Sequence, residues 1–147
     1  MSPEAAVLEF GAKGYGCAQI LLACALRLMG RENPDLVRAM SGLTQGGGGE
    51  LCGALSGGFC LLGLYCGRGK DAEQADADQA LLLESLSAWF RDQPFARDGL
   101  SCEAILGKTS SGMDPALCAE IVSGVWRTAL ALLTEHGLNL EQGREAE

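Results

Sequence analysis

The chain has 147 residues, of which 48% are hydrophobic and 20% charged, and its formal net charge is -8. This length and composition are typical of one folded domain with a sizeable hydrophobic core. The acidic charge argues against binding to nucleic acids and to anionic membrane surfaces, because both interactions require a basic patch. Aromatic residues make up only 5% of the chain, which argues against a surface on which nucleobases stack.

The N-terminal segment has no basic stretch followed by an apolar one, so we expect no signal peptide. The uncharged run from Leu51 to Gly67 is rich in glycine and is shorter than the ~20 apolar residues that a membrane helix needs. We therefore expect a cytoplasmic protein without membrane insertion. Thiols are kept reduced in the cytoplasm, so the seven cysteines indicate redox or metal chemistry rather than a framework of structural disulfides.

Helical signals recur along the chain, and no segment alternates apolar and polar residues as a half-buried strand does. Segments with helical periodicity or capping signals begin near Pro3, Cys17, Asn33, Leu51, Asp76, Ser101 and Asp114. We expect an all-α fold, a compact bundle of five to six helices that forms a single domain over residues 1–147. A short acidic C-terminal tail, at about 138–147, is expected to be solvated.

Four of the cysteines lie within about one turn of a predicted helix start: Cys17, Cys52, Cys102 and Cys118. The start of a helix carries about half a positive charge and unpaired N–H groups, which stabilise a thiolate and lower its pKa. A thiolate is both the redox nucleophile and the metal ligand. These four residues are therefore the candidate redox thiols and the candidate metal ligands.

The other three cysteines do not extend this pattern. Cys24 follows Cys17 by two helical turns and Cys60 follows Cys52 by slightly more, which separates each pair by about 10–12 Å along the helix axis. A disulfide needs Cα atoms within about 7 Å, so any partnership must form between helices. We expect Cys24 and Cys60 to be small core residues, and the role of Cys66 stays open.

Glycine is concentrated before and within the helix that Cys52 begins. Gly46, Gly47, Gly48 and Gly49 precede it, and Gly53, Ala54 and Gly57 continue the small-residue pattern. Small residues let a backbone approach another helix or a bound group closely, so these seven residues are the candidate cofactor-binding positions. The alternative is a flexible linker followed by close helix packing.

Several common motifs are absent or lack their context. The glycine run matches a dinucleotide-binding fingerprint, but no predicted strand precedes it. No pair of cysteines is separated by two residues, which excludes thioredoxin-like, zinc-ribbon and c-type haem signatures. His136, the only histidine, falls at a predicted helix C-terminus, where a capping role is expected. Trp89 and Trp126 are predicted core residues.

The order of the cysteine segments resembles the C_GCAxxG_C_C family of small bacterial and archaeal proteins. The sequence "CGALSG", from Cys52 to Gly57, matches the family motif CGAxxG. The segments "GYGCAQILLA", "LSCEAILG" and "DPALCAEIV" resemble the other three cysteine segments and supply Cys17, Cys102 and Cys118. The resemblance implies a redox role for these four cysteines and leaves Cys24, Cys60 and Cys66 outside the pattern.

Our leading hypothesis is that the four cysteines meet in one site. They would carry thiol–disulfide or electron-transfer chemistry with a redox partner protein, or they would bind an iron–sulfur cluster or zinc. Their wide separation in the sequence matches no local metal-binding loop, so such a site must be assembled by the tertiary fold.

Two alternatives come from other classes of function. The first is a helical interaction protein with buried structural cysteines, a homodimer that packs through Gly53, Ala54 and Gly57. The second is an enzyme with Cys52 as its nucleophile, which lacks a nearby histidine as base.

Overall fold

The computed structural model describes residues 2–44, 50–107 and 114–143. These residues form seven α-helices and two short 3-10 turns, at Ser41–Leu43 and Pro94–Ala96, and contain no strand. The helices are α1 (Pro3–Ala12), α2 (Cys17–Leu28), α3 (Pro34–Met40), α4 (Gly53–Cys66), α5 (Gln79–Arg91), α6 (Cys102–Leu106) and α7 (Pro115–Glu135). The predicted all-α class is confirmed. The helix count exceeds the expected five to six because the short segments α3 and α6 each form a capped helix of their own.

Polar side chains set the start of several helices, as the sequence predicts. Asn33 Oδ1 accepts the N–H of Leu36 at 3.1 Å, Ser101 Oγ accepts that of Ala104 at 3.0 Å, and Asp114 Oδ1 accepts that of Leu117 at 3.2 Å. Each bond pairs one of the free N–H groups of a first helical turn. Two of these caps, Ser101 and Asp114, fix the positions at which the cysteine-bearing helices α6 and α7 begin.

The hydrophobic core surrounds α4, which packs against α2, α5 and α7. Its buried residues are mainly leucines of α2, α4 and α5, together with Val125 and Trp126 of α7. Trp126 is buried as predicted, whereas Trp89 is half-buried and lies over Gly124, where a Cβ atom would come within 2.9 Å of the indole. At the end of α7, His136 Nδ1 lies 2.9 Å from the carbonyl oxygen of Leu132, consistent with the predicted capping role.

Among the helices that the structure describes, α7 alone is long and apolar enough to cross a membrane by length and composition. It packs against α1, α4 and α5, and its residues from Ile121 to Trp126 are buried in that packing. The central helix of a compact bundle has the same properties, so this feature by itself is weak evidence for a membrane span.

The C-terminal segment, which the sequence predicts to be a solvated tail, folds back in part onto the helices. The Tyr65 hydroxyl donates to the carbonyl oxygen of Leu140 at 2.7 Å, and Leu138 and Leu140 pack against the core. Arg31 donates to the carbonyl oxygen of Gln142 at 2.5 Å. Within residues 138–143 the two leucines are half-buried against the core, whereas Asn139, Glu141 and Gln142 are exposed, as a solvated tail would be. Residues 144–147 lie outside the described part of the chain.

The closest helix packing joins α2 to α4 along the small-residue face of α4. A Cβ atom on Gly57 would lie 2.9 Å from Ala18 Cα and 3.1 Å from Ala18 Cβ, so glycine is required at this crossing. Gly53, Ala54 and Gly57 are all buried within the chain. This face is filled by α2, and it is not available for the homodimer that the interaction-protein alternative places there.

Replacing Gly57 by alanine should separate α2 from α4 and lower the free energy of unfolding by about 1–3 kcal/mol, the usual cost of overpacking. The matched control is Gly63→Ala on the same helix, where an added Cβ meets no atom within 4 Å. That substitution should raise the free energy of unfolding by roughly 0.5–1 kcal/mol through helix propensity alone. Urea denaturation of the two variants measures both changes, and equal changes in both would contradict the described crossing.

Candidate functional site

One cavity of about 620 Å³ is lined by Cys17, Cys52, Cys102 and Cys118. Its wall comes from α1, α2, α4, α6 and α7, so residues that are far apart in sequence meet there. The other three cysteines do not line it. The structure thus brings together the four cysteines that the sequence places at helix starts.

Each of the four lies in or beside the first turn of its helix. Cys17 is the first residue of α2, Cys102 is the first residue of α6, and Cys52 is the N-cap of α4. Cys118 lies one turn into α7, where its N–H donates to the carbonyl oxygen of Asp114 at 2.9 Å. Four helix N-termini therefore face the cavity or lie next to it.

A backbone hydrogen bond holds Cys52 beside the segment that leads into Cys102. The Cys52 N–H donates to the carbonyl oxygen of Leu100 at 2.6 Å. α4 begins at Gly53, two residues later than the predicted start at Leu51, and this bond pairs the N–H of its N-cap residue, which no helix satisfies internally. The bond ties α4 to α6, which otherwise contacts mainly the turn Pro94–Ala96.

Gly53 provides the space in which the sulfur of Cys17 rests. A Cβ atom on Gly53 would overlap Cys17 Sγ and would come within 2.5 Å of the carbonyl oxygen of Leu43. Cys17 and Cys52 are therefore brought together because a glycine follows Cys52. Of the other predicted cofactor-binding residues, Ala54 lines the cavity and Gly57 instead packs against α2. Gly46, Gly47, Gly48 and Gly49 lie outside the described residues.

The entry to α2 is fixed by Gly16, Gln19 and Thr44, which all line the cavity. The Gln19 side chain accepts the N–H of Gly16 at 3.0 Å and donates to the carbonyl oxygen of Val37 at 3.1 Å. Gly16 packs so closely on Thr44 that a Cβ atom would overlap the threonine side chain. The Thr44 hydroxyl is buried and finds no hydrogen-bond partner within the part of the chain that is described.

Burial dominates the acidity of two of the cavity thiols. Burial raises the pKa of Cys52 to about 12, and the neighbouring Cys102 and Cys17 raise this pKa further. The N–H groups of Ala54 and Leu55 lower it in part. Burial also raises the pKa of Cys118, and Cys17 adds to that rise. The expectation that helix N-termini lower these pKa values is wrong for both residues, because loss of hydration outweighs the helix dipole.

The described residues do not assemble a metal site. No three Cys, His, Asp or Glu side chains in residues 2–44, 50–107 and 114–143 lie close enough together to hold one metal ion. The four cysteines line one cavity, and Cys17 and Cys102 lie close enough to Cys52 and Cys118 to raise the pKa of both. The predicted zinc ligation therefore does not fit this arrangement, whereas ligation of an iron–sulfur cluster stays a prediction, and no chemical step is derived through either.

The remaining cysteines have three different environments. Cys24 is buried in the core as predicted, and burial raises its pKa to about 12. Cys60 is exposed, so its predicted core position is wrong: it lies on the side of α4 that the described helices leave uncovered. Cys66, whose role the sequence left open, is fully buried, and its carbonyl oxygen accepts the N–H of Asp76 at 2.7 Å.

Sequence reasoning missed the contribution of the N-terminal segment to this site. Val7, Leu8, Gly11 and Tyr15 line the same cavity as the cysteines. Leu8 and Tyr15 are exposed on α1 and in the loop after it, although both are large and hydrophobic. That exposure is the signal of a site, and it becomes visible only when the helices are placed together.

The fold and the cavity define a class of small all-α proteins in which four cysteines from separate helices line one cavity. The family model described as "Putative redox-active protein (C_GCAxxG_C_C)" matches residues 15–132. The chain belongs to this family, as the resemblance of its cysteine segments implies. No curated protein and no solved structure matches the chain.

The raised pKa of Cys52 predicts how stability depends on pH. A thiol with a folded-state pKa of about 12 and an ordinary value of 9.0 keeps its proton longer in the folded state. Its contribution to stability is complete below pH 9 and is lost as the pH rises towards 12. The reduced protein should therefore lose stability progressively as the pH rises above about 9 towards about 12, measured by urea denaturation with a reductant present.

Cys52→Ser is the matched variant, because serine is a good N-cap and does not ionise in this range. Its stability should fall less steeply with pH than that of the parent protein. Equal slopes in the two proteins would show that the Cys52 thiol is not buried as described.

Proposed function

We propose that this protein carries out thiol–disulfide exchange with two pairs of cysteines, Cys52 with Cys102 and Cys17 with Cys118. The observation that carries the proposal is the single cavity that all four side chains line. Redox activity is the description of the family to which the chain belongs. The proposal adds thiol–disulfide exchange as the type of redox chemistry, and it specifies which cysteines form each pair.

The pairing of Cys52 with Cys102 rests on two observations. The hydrogen bond from the Cys52 N–H to Leu100 holds Cys52 next to the residues that start α6. In addition, Cys102 raises the pKa of Cys52 more than Cys17 does, which supports Cys102 as the nearer sulfur. Cys52 is the N-cap of α4 and Cys102 is the first residue of α6, so neither residue lies in the interior of a helix that would have to unfold.

The pairing of Cys17 with Cys118 is supported in the same way. Of the two cysteines that raise the pKa of Cys118, Cys17 has the larger effect. The helices that carry this pair, α2 and α7, contact each other directly. The second pair therefore belongs to the rigid part of the bundle, whereas the first includes the short and lightly packed α6.

The reaction begins at the more accessible member of the first pair. Cys102 is half-buried, whereas Cys52 is only 7% exposed and has a pKa of about 12. The thiolate of Cys102 attacks one sulfur of a substrate disulfide, the S–S bond breaks, and one thiolate leaves. Cys52 then attacks the mixed disulfide at the Cys102 sulfur, its proton passes to a released thiolate, and the second thiol departs. Overall, two protein thiols are oxidised to one disulfide and one substrate disulfide is reduced to two thiols.

A cycle needs a reductant for the new disulfide, and a dithiol partner protein supplies it in this proposal. The cytoplasm is the proposed location, because its thiol pool keeps such a dithiol reduced. Hydrolytic chemistry with Cys52 as nucleophile is less well supported. The residues that line the described cavity include no histidine, and the raised pKa of Cys52 keeps its thiol protonated at neutral pH.

Disulfide mapping by mass spectrometry tests the proposal. The reduced protein is treated with one equivalent of a small disulfide, alkylated and digested. We expect a bond between Cys52 and Cys102 to form first, with Cys60 left free for alkylation.

Cys102→Ser should slow the oxidation of Cys52 by at least about a hundredfold, because the buried Cys52 is left as a poor nucleophile without its partner. The control is Cys60→Ser, which removes an exposed thiol outside the cavity and should leave the rate unchanged. A first disulfide that includes Cys60, or bound iron in the anaerobically purified protein, would contradict the proposed chemistry.

A further inference from the structure

The cavity that holds the four cysteines is lined by uncharged side chains. No Asp, Glu, Lys, Arg or His occurs among its lining residues in the described part of the chain. Apart from Gln19, Ser41, Thr44 and the four cysteines, these residues are apolar, glycine or Tyr15. This contrasts with the net charge of -8 of the whole chain and with a second cavity, whose lining includes Arg27, Arg31, Glu32 and Arg38.

Exposed hydrophobic side chains mark the outer part of this cavity. Three large hydrophobic residues stand exposed in the described structure: Leu8 at 60%, Tyr15 at 39% and Leu81 at 51%. Leu8 and Tyr15 both line the cavity, and Leu81 lies on α5 outside it. Exposed apolar side chains beside a concave site are typical of a surface that an apolar ligand covers.

We infer that the substrate of this site is an uncharged, largely apolar disulfide of low molecular weight. This inference rests on the proposed thiol–disulfide exchange and names the chemical class on which the exchange acts. The volume of about 620 Å³ lies within the ~300–1,000 Å³ of typical small-molecule sites.

Charge would work against binding in this cavity. A charged group that enters an apolar site loses its hydration and gains no partner of opposite charge there. A negative group is disfavoured further beside Cys118, because the carboxylate of Asp114 lies close enough to that sulfur to raise its pKa. Disulfides with carboxylate arms should therefore be the poorest substrates.

Three aliphatic disulfides of similar size test the inference: bis(2-hydroxyethyl) disulfide, which is neutral, cystamine, which is cationic, and 3,3'-dithiodipropionate, which is anionic. The rate at which each oxidises the reduced full-length protein is followed by the loss of free thiols. Each rate is divided by the rate of the same disulfide with dithiothreitol, which removes differences in intrinsic reactivity. We expect the neutral disulfide to react at least about tenfold faster than the anionic one, with cystamine in between.

Two arginine substitutions compare a new positive charge at the outer part of the cavity with the same charge placed away from it. Leu8→Arg adds a cation next to the thiols and should speed the anionic disulfide by about three- to tenfold relative to the neutral one. Leu81→Arg makes the same change of net charge at a similarly exposed leucine away from the cavity, and it should leave that ratio unchanged. Circular dichroism checks that both variants keep the helical fold.

The outcomes separate the inference from the proposed function. Equal relative rates for the three disulfides, or equal effects of the two arginine substitutions, would overturn the substrate class while leaving the exchange chemistry intact. Failure of every disulfide to oxidise Cys52 and Cys102 would overturn the exchange chemistry itself. Fast reaction of the neutral disulfide and a shift of selectivity only in Leu8→Arg would support the inference.

Discussion

The close contact between α2 and α4 is the constraint on which the site depends. Two glycines make this contact possible. Gly57 lets the backbone of Ala18 pack directly against α4, and Gly53 leaves room for the sulfur of Cys17. With any larger residue at these positions the two helices would separate, and Cys17 would move away from Cys52. The CGALSG motif therefore has a structural meaning, because its cysteine carries the chemistry and its small residues bring a second cysteine within reach.

Burial and helix dipoles act in opposite directions on the cavity thiols, and burial is the stronger influence at Cys52 and Cys118. A buried thiol with a raised pKa is a slow nucleophile in its reduced state, but it is well placed to resolve a mixed disulfide once a neighbour has reacted. The N–H groups at the start of α4 lower the pKa of Cys52 in part. The same groups would stabilise negative charge on its sulfur during that second step.

Local signals were enough to predict the all-α class, the caps at Asn33, Ser101 and Asp114, and the set of cysteines at helix starts. The features that could not be predicted from the sequence depend on which helix faces pack against each other. The exposure of Cys60, the docking of Leu138 and Leu140, and the use of Leu8 and Tyr15 in the cavity wall all follow from tertiary packing. The raised thiol pKa values belong to the same group, since helix position alone predicts the opposite sign and only the packed structure reveals the depth of burial.

The central claim is that four thiols share one cavity and act as two pairs. The intact mass of the native protein, measured before and after complete oxidation, tests this claim most directly. The account predicts a metal-free reduced chain that loses four hydrogen atoms, two for each disulfide, and keeps three thiols open to alkylation after unfolding. A chain that retains iron or zinc under native conditions, or that forms a single disulfide and stops, would contradict it.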